Sequence, residues 1–135
     1  MADEVLTRIL YVEDDADIRS VAGFALEAVG GFVLAACASG EEALARAPGF
    51  APQLLLLDVM MPGMDGPETL AALREMPGTA VTPAVFMTAK VQLHEVARYR
   101  ALGAIDVISK PFDPMTLSDE IRAIWARRDG RGTGS

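Results

Sequence analysis

A small set of side chains, well separated along the chain, has the chemistry to handle a cation and a phosphoryl group. The set comprises the carboxylates of Glu13, Asp14 and Asp58, the hydroxyl of Thr88 and the amine of Lys110. Carboxylates that lie close together repel one another, and a hard cation such as Mg²⁺, which prefers oxygen ligands, relieves that repulsion. An aspartate can act as a nucleophile and form an aspartyl-phosphate, and a lysine can pair with a phosphoryl oxygen. If the fold brings the set together, we expect in-line phosphoryl transfer onto Asp58.

Each member of this set also has an ordinary structural explanation when it is taken alone. Acidic residues before a helix usually cap it or offset its dipole, and Asp15 is expected to do so here. An aspartate at the end of a strand is most often a turn residue, and a threonine or lysine there is unremarkable. It is the occurrence of all of them at the ends of several strands that favours a functional site.

Short apolar runs alternate with segments of helical periodicity, which predicts five strands and five helices in an α/β fold. The predicted strands are 9–12, 32–37, 54–57, a strand from Pro83 through the run AVFMTA, and 105–109. The first helix is expected to stop at Gly30-Gly31. The second is expected to begin with a Ser39/Glu42 capping box and to end at Pro48-Gly49. The third is expected to run from Pro67 to about Met76, the fourth is expected to span roughly 91–102, and the fifth is expected to follow Asp113-Pro114.

The run LLLLD, residues 54–58, has the character of a strand that is buried on both faces, yet it ends on a carboxylate. In a doubly wound parallel sheet, ligands bind outside the carboxyl ends of the strands. The acidic segment 13–15 follows the first predicted strand, Thr88 ends the fourth and Lys110 follows the fifth. The sequence therefore predicts that a ligand-binding site lies at the carboxyl ends of the strands and that Asp58, at the end of its strand, belongs to it.

Composition and charge narrow the class of protein. The chain has 135 residues, 51% of them hydrophobic, which fits one folded domain, expected over 1–128 with a flexible tail at 129–135. Twelve basic against nineteen acidic residues give a net charge of −7, which disfavours nucleic-acid binding. No apolar run is long enough to span a membrane, no signal peptide is evident, and Cys37 is the only cysteine. We expect a cytoplasmic protein that makes no membrane contact.

Four motifs together resemble the receiver domain of two-component response regulators. They are ILYVEDDADIR, LLLLDVMMPGMDG, MTAK and GAIDVISKPFDP, and the resemblance covers about residues 9–127. It implies a CheY-like, flavodoxin-like sheet with strand order 2-1-3-4-5. It also implies a phosphoryl donor, which is a histidine kinase or a histidine phosphotransfer protein.

The resemblance implies a role for each matching residue. Asp58 corresponds to the phosphoacceptor. Glu13 and Asp14 correspond to the acidic pair that holds Mg²⁺, and the Met60 carbonyl would be a further ligand. Thr88 corresponds to the switch hydroxyl, and Lys110 corresponds to the family's lysine, which has a cis bond to the following proline, here Pro111. A downstream protein would bind the face formed by the fourth helix, fifth strand and fifth helix. No enzymatic activity is expected beyond self-phosphorylation and slow self-dephosphorylation. The chain would act alone, or as a receiver excised from a larger response regulator or hybrid kinase.

Three positions bear on signal output and on the lifetime of the phosphorylated state. Val107 stands where the family usually has an aromatic residue that swings with the switch threonine, so output is expected to rely on the fourth helix instead. Met60 and Lys90 match the positions that control access of the hydrolytic water. Met60 cannot orient a water and Lys90 could shield the phosphoryl group, so we expect slow dephosphorylation.

Two other classes of protein share part of this pattern. A phosphohydrolase of the haloacid dehalogenase type would carry a second aspartate two residues after Asp58, but Met60 stands there. A flavin-binding module needs a phosphate-cradling first loop, whereas EDDAD would repel a dianion. Among other residues that could carry chemistry, His94 is expected at the surface, and Cys37 and Trp125 in the core.

Overall fold

The structure, a computed structural model, describes residues 4–89 and 92–128 and has the predicted α/β architecture. Five parallel strands form one sheet in the order β2-β1-β3-β4-β5. The strands are β1 Arg8–Val12, β2 Val33–Cys37, β3 Leu54–Asp58, β4 Ala84–Thr88 and β5 Asp106–Ser109. The doubly wound fold class and the strand order 2-1-3-4-5 are thus confirmed.

Helices cover both faces of the sheet. They are α1 Ala16–Gly23, α2 Gly40–Phe50, α3 Gly66–Arg74, α4 Leu93–Ala101 and α5 Leu117–Arg127. Alternate side chains of β3 enter two separate cores, one shared with α2, α3 and α4 and the other with α1 and α5. This burial on both faces explains the unbroken leucine run of β3. No helix in the described ranges is long and apolar enough to cross a bilayer.

The predicted end of the second helix differs from the structure. The second helix does not end at Pro48-Gly49 but continues to Phe50, and Ala51 then takes a left-handed conformation with φ 53°. A proline in the last turn removes a single backbone donor, and Phe50, which packs against the core, favours continuation. The first helix does reach Val29, but its last six residues, Phe24–Val29, are π-helical.

The predicted helix caps are largely confirmed. Asp15 caps α1 by accepting hydrogen bonds from the backbone N–H groups of Asp17 and Ile18. Ser39 accepts from the Glu42 N–H as predicted, but the Glu42 carboxylate accepts from Ala38 instead of Ser39. Of the two hydrogen bonds of the predicted capping box at α2, only the one accepted by the Ser39 side chain is present.

The turn from β3 into α3 holds the end of β3 in place. Asp65 and Glu68 form a reciprocal capping box, and the Gly66 N–H donates to the carbonyl of Val59 at 3.0 Å. A Cβ at Gly66 would overlap the backbone carbonyl of Asp58, which cannot rotate away as a flexible side chain would. Glycine at this position therefore lets α3 start directly against the strand end that carries Asp58.

We predict opposite effects for two glycine-to-alanine substitutions. Gly66→Ala should lower the free energy of unfolding by about 1–3 kcal/mol, because it overpacks a backbone contact. Gly49→Ala should raise it by about 0.5–1 kcal/mol, because Gly49 lies in α2 with open space around its Cα. Urea unfolding of both variants measures the difference. A Gly66→Ala protein as stable as Gly49→Ala would contradict the close-approach argument.

Candidate functional site

The strand register brings the predicted site residues to one edge of the sheet. Val12 lies beside Leu57, Asp58 beside Met87, and Thr88 beside Ser109. Because all the strands are parallel, their carboxyl ends meet at this edge. The residues that follow β1 and β5, Glu13 and Lys110, therefore flank the end of β3.

Three carboxylates form a cluster at this edge. Glu13, Asp14 and Asp58 each offer an oxygen, and these oxygens lie within 4.8 Å of one another. Glu13 and Asp58 are almost fully buried, with exposed fractions of 1% and 2%, whereas Asp14 is exposed. Carboxylate oxygens gathered on an open edge are the donor set that Mg²⁺ prefers, so the residues fit the predicted metal.

The Lys110 ammonium bridges two of the three carboxylates. Its Nζ donates to Asp58 Oδ1 at 2.9 Å and to Glu13 Oε1 at 3.0 Å. Burial raises the pKa of Asp58 to about 6, the hydrogen bond from Lys110 opposes that rise, and the charge of Glu13 adds to it. Burial alone would lower the pKa of Lys110, but its hydrogen bonds to Asp58 and Glu13 outweigh burial and raise it. Lys110 therefore compensates part of the negative charge on the cluster.

The remaining predicted site residues lie in different surroundings. Thr88 is buried at the end of β4, and its carbonyl accepts a hydrogen bond from the Lys110 N–H at 3.0 Å. Met60 lies in the loop after β3 and is 76% exposed, and Lys90 lies outside the described residues. Val107 is buried in the core that contains Phe86 and Tyr99. The functional roles of all four stay predictions.

The loop that carries the acidic pair is fastened by a residue that sequence reasoning missed. Arg19, on α1, donates through Nη1 to the backbone carbonyl of Glu13 at 2.7 Å and to that of Asp14 at 3.4 Å. The only sequence signal for this contact is an arginine one helical turn after the cap, a spacing that many surface arginines share.

Tyr11 is a second residue that sequence reasoning missed. Its side chain is fully buried on β1, two residues before Glu13, and its hydroxyl has no hydrogen-bond partner among the described residues. Burial raises the pKa of this phenol strongly, and the charges of Glu13 and Asp58 add to the rise. A phenol held beside acidic groups in this way stays neutral.

The other expectations from the sequence agree with the structure. His94 is 73% exposed at its side chain. Cys37 is buried, and burial raises the pKa of its thiol to about 11, which makes it a poor nucleophile. Trp125 is buried on α5 and donates to the Glu4 carbonyl at 2.9 Å. The Lys110-Pro111 bond is cis, as the resemblance implied.

An apolar groove opens beside the acidic cluster. It has a volume of about 480 Å³ and is lined by Asp17, Ile18 and Val21 of α1 and by Ala89, Lys110, Pro111 and Phe112. Lys110 belongs both to this groove and to the hydrogen-bonded cluster. The groove is therefore continuous with the cluster through this one side chain.

The structure has a doubly wound sheet with an acidic cluster and a lysine at the carboxyl ends of its strands. This combination is typical of one class of α/β signalling modules. Comparison with known proteins identifies the family. The family model for the response regulator receiver domain matches residues 9–122. The chain belongs to this family and is a receiver domain of two-component signalling.

Individual relatives agree with this assignment. The transcriptional regulatory protein CseB of Streptomyces coelicolor is 35% identical over 99% of this chain and 55% of its own length. The DNA-binding response regulator MtrA of Mycobacterium tuberculosis is 37% identical over 94% of this chain and 54% of its own. The chemotaxis protein CheY4 of Vibrio cholerae has a TM-score of 0.81 and 29% identity, over 89% of this chain and 99% of that one. The chain thus spans about half the length of the curated relatives it matches.

We predict that removing the Tyr11 hydroxyl stabilises the protein. A buried hydroxyl without a partner costs about 1–3 kcal/mol, so Tyr11→Phe should raise the free energy of unfolding by about 1 kcal/mol. Tyr11→Leu, which removes the ring as well, should instead lower it, because it leaves a cavity. Chemical denaturation of the three proteins measures both changes. A marked loss of stability in Tyr11→Phe would show that the hydroxyl has a stabilising partner.

Proposed function

We propose that this receiver domain accepts a phosphoryl group on Asp58 from a phosphohistidine protein and signals through protein contacts. The observation that carries the proposal is the Lys110 ammonium, held 2.9 Å from Asp58 Oδ1 beside Glu13 and Asp14. Asp58 is thereby a fixed carboxylate with a cation already beside it. This arrangement suits in-line attack on phosphorus, where positioning and charge stabilisation supply most of the catalysis.

In the proposed transfer, a carboxylate oxygen of Asp58 forms a bond to phosphorus while the bond from phosphorus to the histidine nitrogen of the donor breaks. The nitrogen keeps the electron pair of the broken bond, and the donor's imidazole leaves in its neutral form because its other ring nitrogen carries a proton. Lys110 then pairs with a phosphoryl oxygen, and the Thr88 hydroxyl donates to another. No general base is needed, since the attacking carboxylate of Asp58 is already ionised.

Glu13, Asp14 and Asp58 are the side chains that would hold Mg²⁺, with the Met60 carbonyl as a further proposed ligand. When bound, the ion would neutralise charge on the phosphoryl oxygens. The three carboxylates bring their oxygens within 4.8 Å of one another, with Glu13 and Asp58 buried and Asp14 exposed. The chain itself would therefore supply a cluster of oxygen ligands for the ion.

The donor would bind the apolar groove beside Lys110. Its lining from α1 and from residues 110–112 is mostly apolar, which suits a helix that presents a phosphohistidine to Asp58. The net charge of −7 does not favour nucleic acid, and we propose that the domain contacts proteins only. MtrA is named as a DNA-binding regulator, but the chain matches only about half of it. We also propose a cytoplasmic location and no activity on other substrates.

Signal output would run through α4. Tyr99 of α4 is buried, and its ring meets the ring of Phe86 edge to face, with centroids 5.3 Å apart. Phe86 lies two residues before Thr88 on the same face of β4. Valine at position 107 is short and stiff, so a movement of Thr88 would reach α4 through Phe86 and Tyr99.

Asp58→Asn is the direct test of the proposed function. Incubation with acetyl phosphate and Mg²⁺ should add one acid-labile phosphoryl group to the wild type, mapped to Asp58 by peptide analysis, and none to the variant. Asp106→Asn, an aspartate on β5 outside the cluster, should be phosphorylated normally. Equal labelling of Asp58→Asn, or a label on serine or threonine, would refute the proposal.

Mg²⁺ should stabilise the folded protein. At a concentration ten times its dissociation constant, linkage gives about 1.4 kcal/mol. Asp14→Ala should lose most of this gain, whereas Asp17→Ala, an exposed acid on the same loop-helix segment, should keep it. Thermal melts with and without MgCl₂ measure the gain. A melting temperature that does not respond to Mg²⁺ would argue against the metal site.

Phosphorylation should alter the segment 89–96 more than the β5 surface. The physical reason is the packing of Tyr99 on Phe86, which couples the end of β4 to α4. Hydrogen exchange with and without phosphodonor compares the two regions. Changes concentrated around Val107 and α5, with 89–96 silent, would place the output route elsewhere.

A further inference from the structure

We infer that Arg19 is a positioning residue that fixes the acidic loop, so that Glu13 and Asp14 present their carboxylates to the cation. The inference rests on the proposed function, because it assigns Arg19 a part in the same site. Its observation is a single guanidinium nitrogen, Nη1, that donates to both consecutive backbone carbonyls of this loop, at 2.7 and 3.4 Å.

The other anchors of the loop show why this contact matters. The Glu13 N–H donates to the Cys37 carbonyl at 3.0 Å, which ties the start of the loop to β2. The Asp15 side chain accepts from the first turn of α1, which ties down the end of the loop. Between these points, the carbonyls of Glu13 and Asp14 are held by Arg19. The contact therefore fixes the peptide planes from which the two acidic side chains extend.

Geometry and charge give opposite expectations for Arg19. A positive charge close to three carboxylates would, by charge alone, compete with a cation, so its removal would tighten Mg²⁺ binding. A positioning role predicts the reverse, since loss of an outer contact that orients metal ligands typically weakens metal affinity about 10–100-fold. We infer that the positioning effect of Arg19 outweighs its charge effect. Arg19 donates to the backbone of the loop, whereas Lys110 is the residue that donates directly to the carboxylates of the cluster.

Arg46 provides a matched control. It lies on α2 and donates through Nη1 to the Ala36 carbonyl at 2.9 Å, on the neighbouring strand β2. This contact has the same chemistry as that of Arg19 but does not involve the acidic loop. Arg46→Ala therefore measures the general cost of losing such an arginine.

The experiment measures the dissociation constant of Mg²⁺ by calorimetry, and the rate of labelling by acetyl phosphate at saturating Mg²⁺. Arg19→Ala should raise the dissociation constant about tenfold, while the labelling rate at saturation stays within about twofold of wild type. Arg46→Ala should leave both unchanged. Arg19→Lys keeps the charge but not the reach of the guanidinium, so its dissociation constant should lie between those of wild type and Arg19→Ala.

Each other outcome has a clear meaning. Unchanged or tighter Mg²⁺ binding in Arg19→Ala would overturn the inference and leave the proposed function standing. If Arg19→Ala fails to fold, Arg19→Lys decides, and a wild-type dissociation constant in that variant would overturn the inference. If the wild type itself neither binds Mg²⁺ nor takes up the phosphoryl group, the proposed function falls, and the inference falls with it.

Discussion

The hydrogen bonds from one ammonium, that of Lys110, to Asp58 and Glu13 are the interaction on which the rest of the site depends. Two of the three clustered carboxylates, Glu13 and Asp58, are almost fully buried, and burial raises the pKa of Asp58. The cation at 2.9 and 3.0 Å offsets part of that penalty and keeps the carboxylates close together. In the proposed function, a phosphoryl oxygen would pair with this ammonium, and the acids would remain as ligands for Mg²⁺.

Much of the fold serves to bring these groups together from distant points of the chain. Parallel pairing places the ends of β1, β3, β4 and β5 at one edge, and two apolar cores hold the sheet from both sides. The leucines of β3 fill both cores, and a shift of the strand by one residue would also move Asp58 away from the edge where Glu13 and Lys110 lie. Gly66 then allows α3 to begin against the Asp58 carbonyl. Asp58 is therefore held by backbone packing as well as by Lys110.

The sequence was a good guide wherever a regular rule of parallel sheets applied. Asp58, Thr88 and Lys110 were predictable as neighbours because such sheets gather the carboxyl ends of their strands. The π-helical end of the first helix could not be predicted from local spacing, and a distant residue contacts it, since the Ser118 hydroxyl donates to the Ala25 carbonyl at 2.8 Å. The Ala25 carbonyl also accepts a hydrogen bond from the N–H of Gly30, five residues later in the chain. This is the hydrogen-bond spacing of a π-helix, and no local sequence pattern predicts it. The contacts of Arg19 and the buried hydroxyl of Tyr11 likewise depend on side-chain directions that spacing does not fix.

The most direct measurement of the central role of Lys110 is a comparison of wild type with Lys110→Met, at mildly alkaline pH where Asp58 is ionised. Methionine keeps an unbranched chain that is one atom shorter and removes the charge. If the ammonium holds the carboxylates in the absence of a cation and later pairs with the phosphoryl group, Lys110→Met should bind Mg²⁺ more tightly than wild type and take up a phosphoryl group from acetyl phosphate more slowly. Calorimetry and a labelling time course report the two quantities. Unchanged or weaker Mg²⁺ binding, or an undiminished labelling rate, would contradict the account.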